Sequence, residues 1–121
     1  MTEKQYKNDI IKKMKSIGSY NDAFLHVVNI LAKSLKDFED AQEQFEESGR
    51  ELVIEYTNKN GSTNTVKNPV YLSIEKLRND ILVYSRELGL TPAGLKRIND
   101  LAMGAPKRSK LEEVLLELSK S

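Results

Sequence analysis

The chain has 121 residues, which is enough for one small domain with its own core. Its 19 lysines and arginines nearly balance 18 aspartates and glutamates, so the net charge alone does not indicate a nucleic-acid partner. The absence of cysteine excludes a disulfide scaffold, and a single histidine excludes most zinc sites. No apolar run approaches the roughly 20 residues of a membrane span, so we expect a soluble intracellular protein without a membrane partner.

The first predicted element is a short amphipathic helix over residues 3–16, within a basic N-terminal unit of residues 1–18. Gly18 is expected to end this helix, because glycine tolerates the left-handed conformation that often closes a helix. Ser19, followed three residues later by Asp22, has the spacing of a helix start and predicts that the next helix begins there. The apolar residues of the first helix are Tyr6, Ile10, Met14 and Ile17.

Two longer helices, over residues 20–48 and from Pro69 to Leu88, carry apolar residues at alternating spacings of four and three. This spacing is the pattern of a coiled-coil seam. The first seam contains Phe24, Val28, Leu31, Leu35, Phe38, Gln42 and Phe45, and the second contains Val70, Ile74, Leu77, Ile81, Tyr84 and Leu88. We expect the two helices to lie antiparallel and to pack their seams together.

Between these helices the pattern changes to that of a β-hairpin, at about residues 51–67. Strands are predicted near 51–58 and 63–67, because these stretches alternate and are rich in Val, Ile, Tyr and Thr. Asn60-Gly61 predicts a turn in which both residues have positive φ. Two isolated strands are marginally stable in water, so the hairpin should pack on another element or pair with another copy.

The stretch "SRELGLTPAGLKRIND", residues 85–100, predicts a corner between two helices. One helix ends at Gly89, and a short helix over residues 92–103 begins with Thr91 as its cap and Pro92 in its first turn. Residues 19–103 thus form a helical-hairpin core. Residues 104–121 are predicted to contain a last amphipathic helix with Ser109 and Glu112 as a capping box. Its apolar face would contain Leu111, Val114, Leu115 and Leu118.

The predicted fold is therefore mainly α: a long antiparallel hairpin of two heptad-patterned helices, joined by a β-hairpin and flanked by short terminal helices. Apolar residues outside the seams (Leu25, Val27, Ile30, Leu72, Leu82 and Val83) widen the apolar arcs of both long helices. Because wide apolar arcs are normally covered on more than one side, we expect a homo-oligomer with cyclic symmetry, a ring. The alternative is that the terminal helices fold back over them. The predicted oligomerisation residues are Phe24, Val28, Leu31, Leu35, Phe38, Ile74, Leu77, Ile81 and Tyr84.

No residue pattern indicates catalysis, a cofactor or a metal centre. His26 has no visible partner motif and is expected to serve packing or to lie at the surface. The acidic residues Asp37, Asp40, Glu43 and Glu47 follow helical spacing and favour a solvated face over a Mg²⁺ site. Walker, glycine-rich and nucleophile-elbow motifs are absent, so an enzyme is not predicted.

The charge distribution favours DNA contact at the N-terminal end. Residues 1–16 contain five lysines against two acids, whereas residues 37–51 contain seven acids against one arginine. This separation of charge suits contact between DNA phosphates and the basic end of the chain. A ring would repeat the basic end in every subunit. The candidate DNA-binding residues are Lys4, Lys7, Lys12, Lys13, Lys15, Lys96, Arg97, Lys107 and Arg108. The Gly89 corner itself is interpreted as structural, because the following helix offers few polar side chains for a major groove.

The run "KNPVYLSIEKLRNDILVYSRELGLTP", with the preceding "VIEYTNKNGSTNTVKNP", resembles the P27-type phage terminase small subunits. That family has a variable hairpin, an Asn-Pro dipeptide, an amphipathic helix and then Leu-Gly-Leu-Thr-Pro. The resemblance covers roughly residues 5–100. The matching positions are Asn68, Pro69, Leu77, Leu88, Gly89, Leu90, Thr91 and Pro92.

The resemblance implies a non-catalytic, ring-forming subunit in the cytoplasm of a bacterial host. Such a subunit binds double-stranded viral DNA and presents it to the large terminase subunit, which contains the ATPase and nuclease. Two alternatives remain open. One is a small dimeric transcriptional regulator that uses the Gly89 corner as a helix-turn-helix, and the other is a phage assembly protein without DNA affinity.

Overall fold

A computed structural model describes residues 1–104 and residue 118 of the chain. The predicted C-terminal helix, with Lys107 and Arg108 before it, lies outside the described residues except for Leu118, which is helical and exposed.

Helix α1 runs from Glu3 to Ile17, as the sequence predicts. Thr2 and Gln5 form a reciprocal capping box: the Thr2 Oγ1 accepts from the Gln5 backbone N–H at 3.1 Å, and Gln5 Oε1 accepts from the Thr2 N–H at 2.8 Å. Gly18 ends the helix with φ of 77°. Its backbone N–H bonds the Lys15 carbonyl, which satisfies one of the last carbonyls of the helix.

Helix α2 runs from Leu25 to Glu47 and follows a 3₁₀ turn over Asp22–Phe24. The prediction that Ser19 begins this helix is wrong. Asn21 caps the 3₁₀ turn by accepting from the Ala23 N–H at 2.9 Å. Ser19 is instead buried, and its hydroxyl donates to the Leu88 carbonyl at 3.0 Å. A contact across 69 residues of sequence therefore ties the α1–α2 connection to the end of the third helix.

Strands β1 (Val53–Thr57) and β2 (Thr63–Lys67) form an antiparallel hairpin in which Ile54 lies opposite Val66. The predicted two-residue turn is wrong in detail. Gly61 has φ of 82°, but Asn60 is not left-handed, and the connection is a five-residue loop closed by the Asn58 N–H to the Ser62 carbonyl at 3.0 Å. Across the described residues, the strands pack mainly on each other and hardly touch the helices.

Asn68 joins the base of the hairpin to helix α3, which runs from Pro69 to Glu87. The Asn68 side-chain Nδ2 donates to the Glu51 carbonyl at 2.8 Å, and the Asn68 Oδ1 accepts from the Val70 N–H at 3.0 Å. The same side chain therefore closes the root of the hairpin and caps α3.

Helices α2 and α3 lie antiparallel, as predicted. The Phe45 ring at the end of α2 is 5.5 Å from the Tyr71 ring at the start of α3, whereas Leu88 meets the start of α2. Helix α1 packs on α2 and meets only the end of α3, at Leu88, which completes the core. The buried residues of that core are Ile10, Met14, Val28, Leu31, Ala32 and Leu88.

The predicted oligomerisation residues lie along the α2–α3 seam of a single chain. Val28, Leu31 and Ile74 are buried there. The other six, Phe24, Leu35, Phe38, Leu77, Ile81 and Tyr84, are half-buried. Their contact with another copy stays a prediction, and so does the ring.

Helix α4 runs from Pro92 to Gly104 after the predicted corner. Gly89 has φ of 73°, and the Thr91 hydroxyl accepts from the Gly94 N–H at 3.0 Å. Gly94 rests on the end of α3 so closely that a Cβ there would lie 2.1 Å from the Arg86 carbonyl oxygen. This close backbone contact fixes the direction in which α4 leaves the bundle.

Candidate nucleic-acid interface

The five lysines of α1 do not share one face of the molecule. Lys13 forms an ion pair with Asp9 at 2.9 Å. The Lys15 ammonium lies 5.1 Å from the centre of the Tyr20 ring, a cation–π distance. Lys12 is exposed on the outer side of the helix. Only Lys4 and Lys7 turn towards α2.

Lys4 and Lys7 line a shallow depression with Asn29 and Ala32 of α2, which we call the basic depression. Its volume is about 460 Å³, and Glu3 lies on its rim. Ala32 is buried, and the small side chain at this position lets α1 approach α2 closely. The depression therefore brings two ammonium groups and one amide together at the joint between two helices.

Lys33 follows Ala32 in α2 and is exposed. Within residues 1–104, neither Lys4, Lys7 nor Lys33 takes part in an ion pair. Their charges are therefore not neutralised by the neighbouring acids. Unpaired ammonium groups beside an amide suit the phosphate backbone of a nucleic acid, which lysines bind as point charges.

Sequence reasoning missed Asn29 and Lys33. The signal was present, because the two residues are four apart on the outer side of α2 and therefore share a helix face. What the sequence did not show was the rotation with which α1 docks on α2, and that rotation decides which lysines meet this face.

Glu39 holds the N-terminal end of α1 on α2. Its carboxylate accepts from the N-terminal ammonium at 2.8 Å and from the Tyr6 hydroxyl at 3.1 Å, and it lies 3.6 Å from the Lys36 ammonium. The bond from the N-terminal ammonium, reinforced by Tyr6 and Lys36, lowers the pKa of Glu39. Partial burial and the bond to Glu39 raise the pKa of Tyr6.

Replacing Glu39 by glutamine is expected to lower the Tm slightly near neutral pH. A lowered carboxyl pKa contributes stability above the ordinary glutamate value of about 4.3, and that contribution is lost as the pH falls through the folded value. The difference in Tm between the wild type and Glu39→Gln should therefore shrink in melts recorded from pH 7 to pH 3. The control Glu43→Gln removes an exposed acid of the same helix. A constant difference at every pH would show that Glu39 acts through packing and not through charge.

The remaining candidate cations lie apart from the basic depression. Lys96 is exposed on α4, and Arg97 lies 3.4 Å from Glu87 at the end of α3. Arg97 is close to Phe24 at the start of α2, whereas the basic depression is beside the middle of α2. Lys107 and Arg108 lie outside the described residues.

The acidic second half of α2 extends beyond the end of α1 towards the hairpin. Asp40 pairs with Lys36 at 3.1 Å, and Glu46 pairs with Arg50. Lys4 and Lys7 of α1 therefore lie beside the first half of α2, and the acids of its second half lie beyond them.

The described residues contain no cluster of His, Asp and Glu side chains that could hold a metal ion. His26 is exposed, which agrees with a surface position. Among these residues no helix has both the length and the apolar character that crossing a membrane requires.

The described residues thus form a helical bundle with a projecting β-hairpin and a basic depression whose two lysines form no ion pair among them. The description of the family whose model matches residues 4–103 is "Phage terminase, small subunit". The chain therefore belongs to the phage terminase small subunit family, which confirms the resemblance drawn from its sequence. Comparison with curated proteins and with solved structures gave no match. Members of this family are generally non-catalytic.

Proposed function

We propose that the protein is a ring-forming adaptor that binds double-stranded viral DNA for packaging and recruits or regulates the large terminase subunit. It would work in the cytoplasm of the bacterial host, and the ATPase and nuclease would belong to the large subunit. Membership of the small-terminase family over residues 4–103 is the observation that carries this proposal.

The basic depression supports DNA contact. A patch of three cations from one chain is a modest binding site, because each phosphate contact contributes only part of the affinity. Repeated around a ring, the same patch forms a continuous cationic surface, and the acidic second half of α2 would face away from the DNA. The binding would read the backbone rather than the bases, since Lys4, Lys7 and Lys33 are point charges.

Exposed apolar side chains support self-association. On α3, Leu72 is 44% exposed, Leu82 is 50% exposed and Val83 is 42% exposed. These are the residues that fall outside the seam, and residues 1–104 leave them uncovered. Exposed apolar side chains on neighbouring faces of one helix are typical of a surface that another protein covers.

The β-hairpin supports self-association independently. Tyr56 is 56% exposed, Val53 is 53% exposed, and both strand edges are unpaired among the described residues. A two-stranded sheet that buries neither face is marginally stable in water. A neighbouring copy would cover one face or extend the sheet.

Native mass spectrometry of the intact protein tests the ring, and we expect a closed multimer of more than two 13.8 kDa chains. Leu72→Glu combined with Val83→Glu should shift the population towards monomers, because two charges would have to be buried in the interface. The matched control Gln44→Glu places a charge on an exposed position of α2 and should leave the mass unchanged. A wild-type monomer would refute the ring, and a dimer that binds one short palindrome would support a transcriptional regulator instead.

A further inference from the structure

A groove runs between α1 and α3 with α2 as its floor, and we call it the three-helix groove. Its volume is about 550 Å³. Leu82 forms part of the wall and is 50% exposed, so the described part of the chain leaves an apolar surface there without cover. The apolar lining consists of Ile10, Leu31, Leu35, Ile81, Leu82 and Leu90.

The rim of the three-helix groove is more basic than acidic. Lys13 and Arg78 lie on opposite walls, and Asp9 is the acid between them that pairs with Lys13. Arg78 has no ion pair within residues 1–104. The groove therefore suits an occupant with an apolar stripe and acidic flanks.

The sequence of this chain contains such a segment at residues 109–118. Its apolar residues Leu111, Val114, Leu115 and Leu118 share one helical face, and its acids are Glu112, Glu113 and Glu117. A ten-residue helix is about 15 Å long, and the groove reaches from Arg78 of α3 past the end of that helix to Thr91. Length, apolar stripe and charge all match.

The direction of α4 favours the groove of another copy over that of the same chain as the site for this segment. Thr91 lines the groove, but α4 starts immediately after it and crosses a different face of α3, where Gly94 meets Arg86 and Leu101 lies near Phe24. Thirteen helical residues carry Gly104 about 20 Å away from Thr91. The five steps from Gly104 to Ser109 span at most about 18 Å even when fully extended, so a return within one chain leaves little slack in the connection.

We propose that residues 109–118 of one copy occupy the three-helix groove of the adjacent copy. This inference rests on the ring of the proposed function. It makes the contact heterologous, because one chain contributes the segment and its neighbour contributes the groove. A heterologous contact of this kind, repeated with a rotation that closes, generates a ring.

Disulfide trapping tests the proposal, because the native chain has no cysteine. Ser85 is half-buried in the groove, and Val114 is on the apolar stripe. A tagged Ser85→Cys chain is mixed with an untagged Val114→Cys chain, unfolded and refolded together, and then oxidised. We expect the yield of the mixed Ser85→Cys–Val114→Cys disulfide to be at least tenfold higher than the yield when Ser73→Cys replaces Ser85→Cys. Ser73 is an exposed position of α3 outside the groove. A doubly substituted chain that forms only intrachain disulfides would overturn the proposal in favour of docking within one chain.

A second pair of variants tests the proposal without cysteines. Leu115→Asp puts a charge on the apolar stripe and should lower the mass of the assembly at a fixed protein concentration. Leu116 is the next residue and is not on the stripe. The fraction of dissociated chains should therefore be at least tenfold smaller for Leu116→Asp than for Leu115→Asp. If the wild type is a closed multimer and the two variants dissociate equally, or neither dissociates, the proposal is overturned but the ring is not. A monomeric wild type would refute the ring itself.

Discussion

Replacing Lys4, Lys7 and Lys33 together by glutamine is expected to weaken binding to double-stranded DNA by at least about tenfold at 0.1 M salt. Lys4 and Lys7 line the basic depression, Lys33 is four residues from Asn29 on the same face of α2, and none of the three has an ion-pair partner in the described part of the chain. Each phosphate contact that is lost removes about 0.9 from the slope of log K against log salt. If all three lysines contact phosphates, the magnitude of the slope should fall by nearly three for each chain that binds the DNA. Fluorescence anisotropy over a salt series measures both quantities.

The matched control for this triple variant is Lys59, Lys67 and Lys76 to glutamine. It removes the same charge from the hairpin and the start of α3, at the acidic end of the molecule, where all three lysines are exposed. We expect its affinity and its salt slope to stay close to those of the wild type. Equal losses in both variants would mean that DNA responds to the total charge and that the basic depression is not the binding surface.

Replacing Leu88 by alanine is expected to destabilise the fold by about 2–5 kcal/mol, the range for a fully buried leucine. Leu88 has no exposed surface and is part of the cluster that joins α1, α2 and α3. Its carbonyl also accepts the bond from Ser19, so a shift of the backbone there would loosen two connections at once. Urea unfolding at a fixed protein concentration measures the loss, because association would otherwise change the apparent stability.

The control for Leu88 is Leu101→Ala, which shortens a leucine that is 59% exposed on α4. A substitution away from the core should change the free energy of unfolding by no more than about 0.5 kcal/mol. A comparable loss for both variants would show that Leu101 is covered in the assembly. If Leu88→Ala lowers the free energy of unfolding by less than about 1 kcal/mol, the core around residue 88 collapses onto the smaller side chain.

The helix boundaries were predictable because local chemistry decides them. Gly18, Asn68 with Pro69, and Thr91 with Pro92 each act through bonds to residues within a few positions, and the structure places helix ends at all three. The antiparallel pairing of α2 and α3 was predictable as well, since two apolar stripes joined by a short hairpin have few other ways to meet.

What the sequence could not supply depends on contacts between distant segments. Ser19 has the local signature of a helix cap, but its hydroxyl donates to the Leu88 carbonyl instead. Asn21 is the residue that caps the following 3₁₀ turn. The five lysines of α1 look equivalent along the chain, yet docking brings Lys4 and Lys7 beside α2 and leaves Lys12 exposed on the outer side. A helix-rotation angle is a property of tertiary packing, and no local pattern records it.

The amide of Asn68 has a consequence for how members of this family can vary. It fastens the two ends of the β-hairpin and the first turn of α3 with two side-chain bonds, whereas the loop at residues 58–62 is stabilised by bonds among its own residues. Among the described residues the arm is held at its root, so its tip can grow, shrink or change while the helices beneath keep their positions. A change in the length of this loop therefore requires no change in the helical bundle.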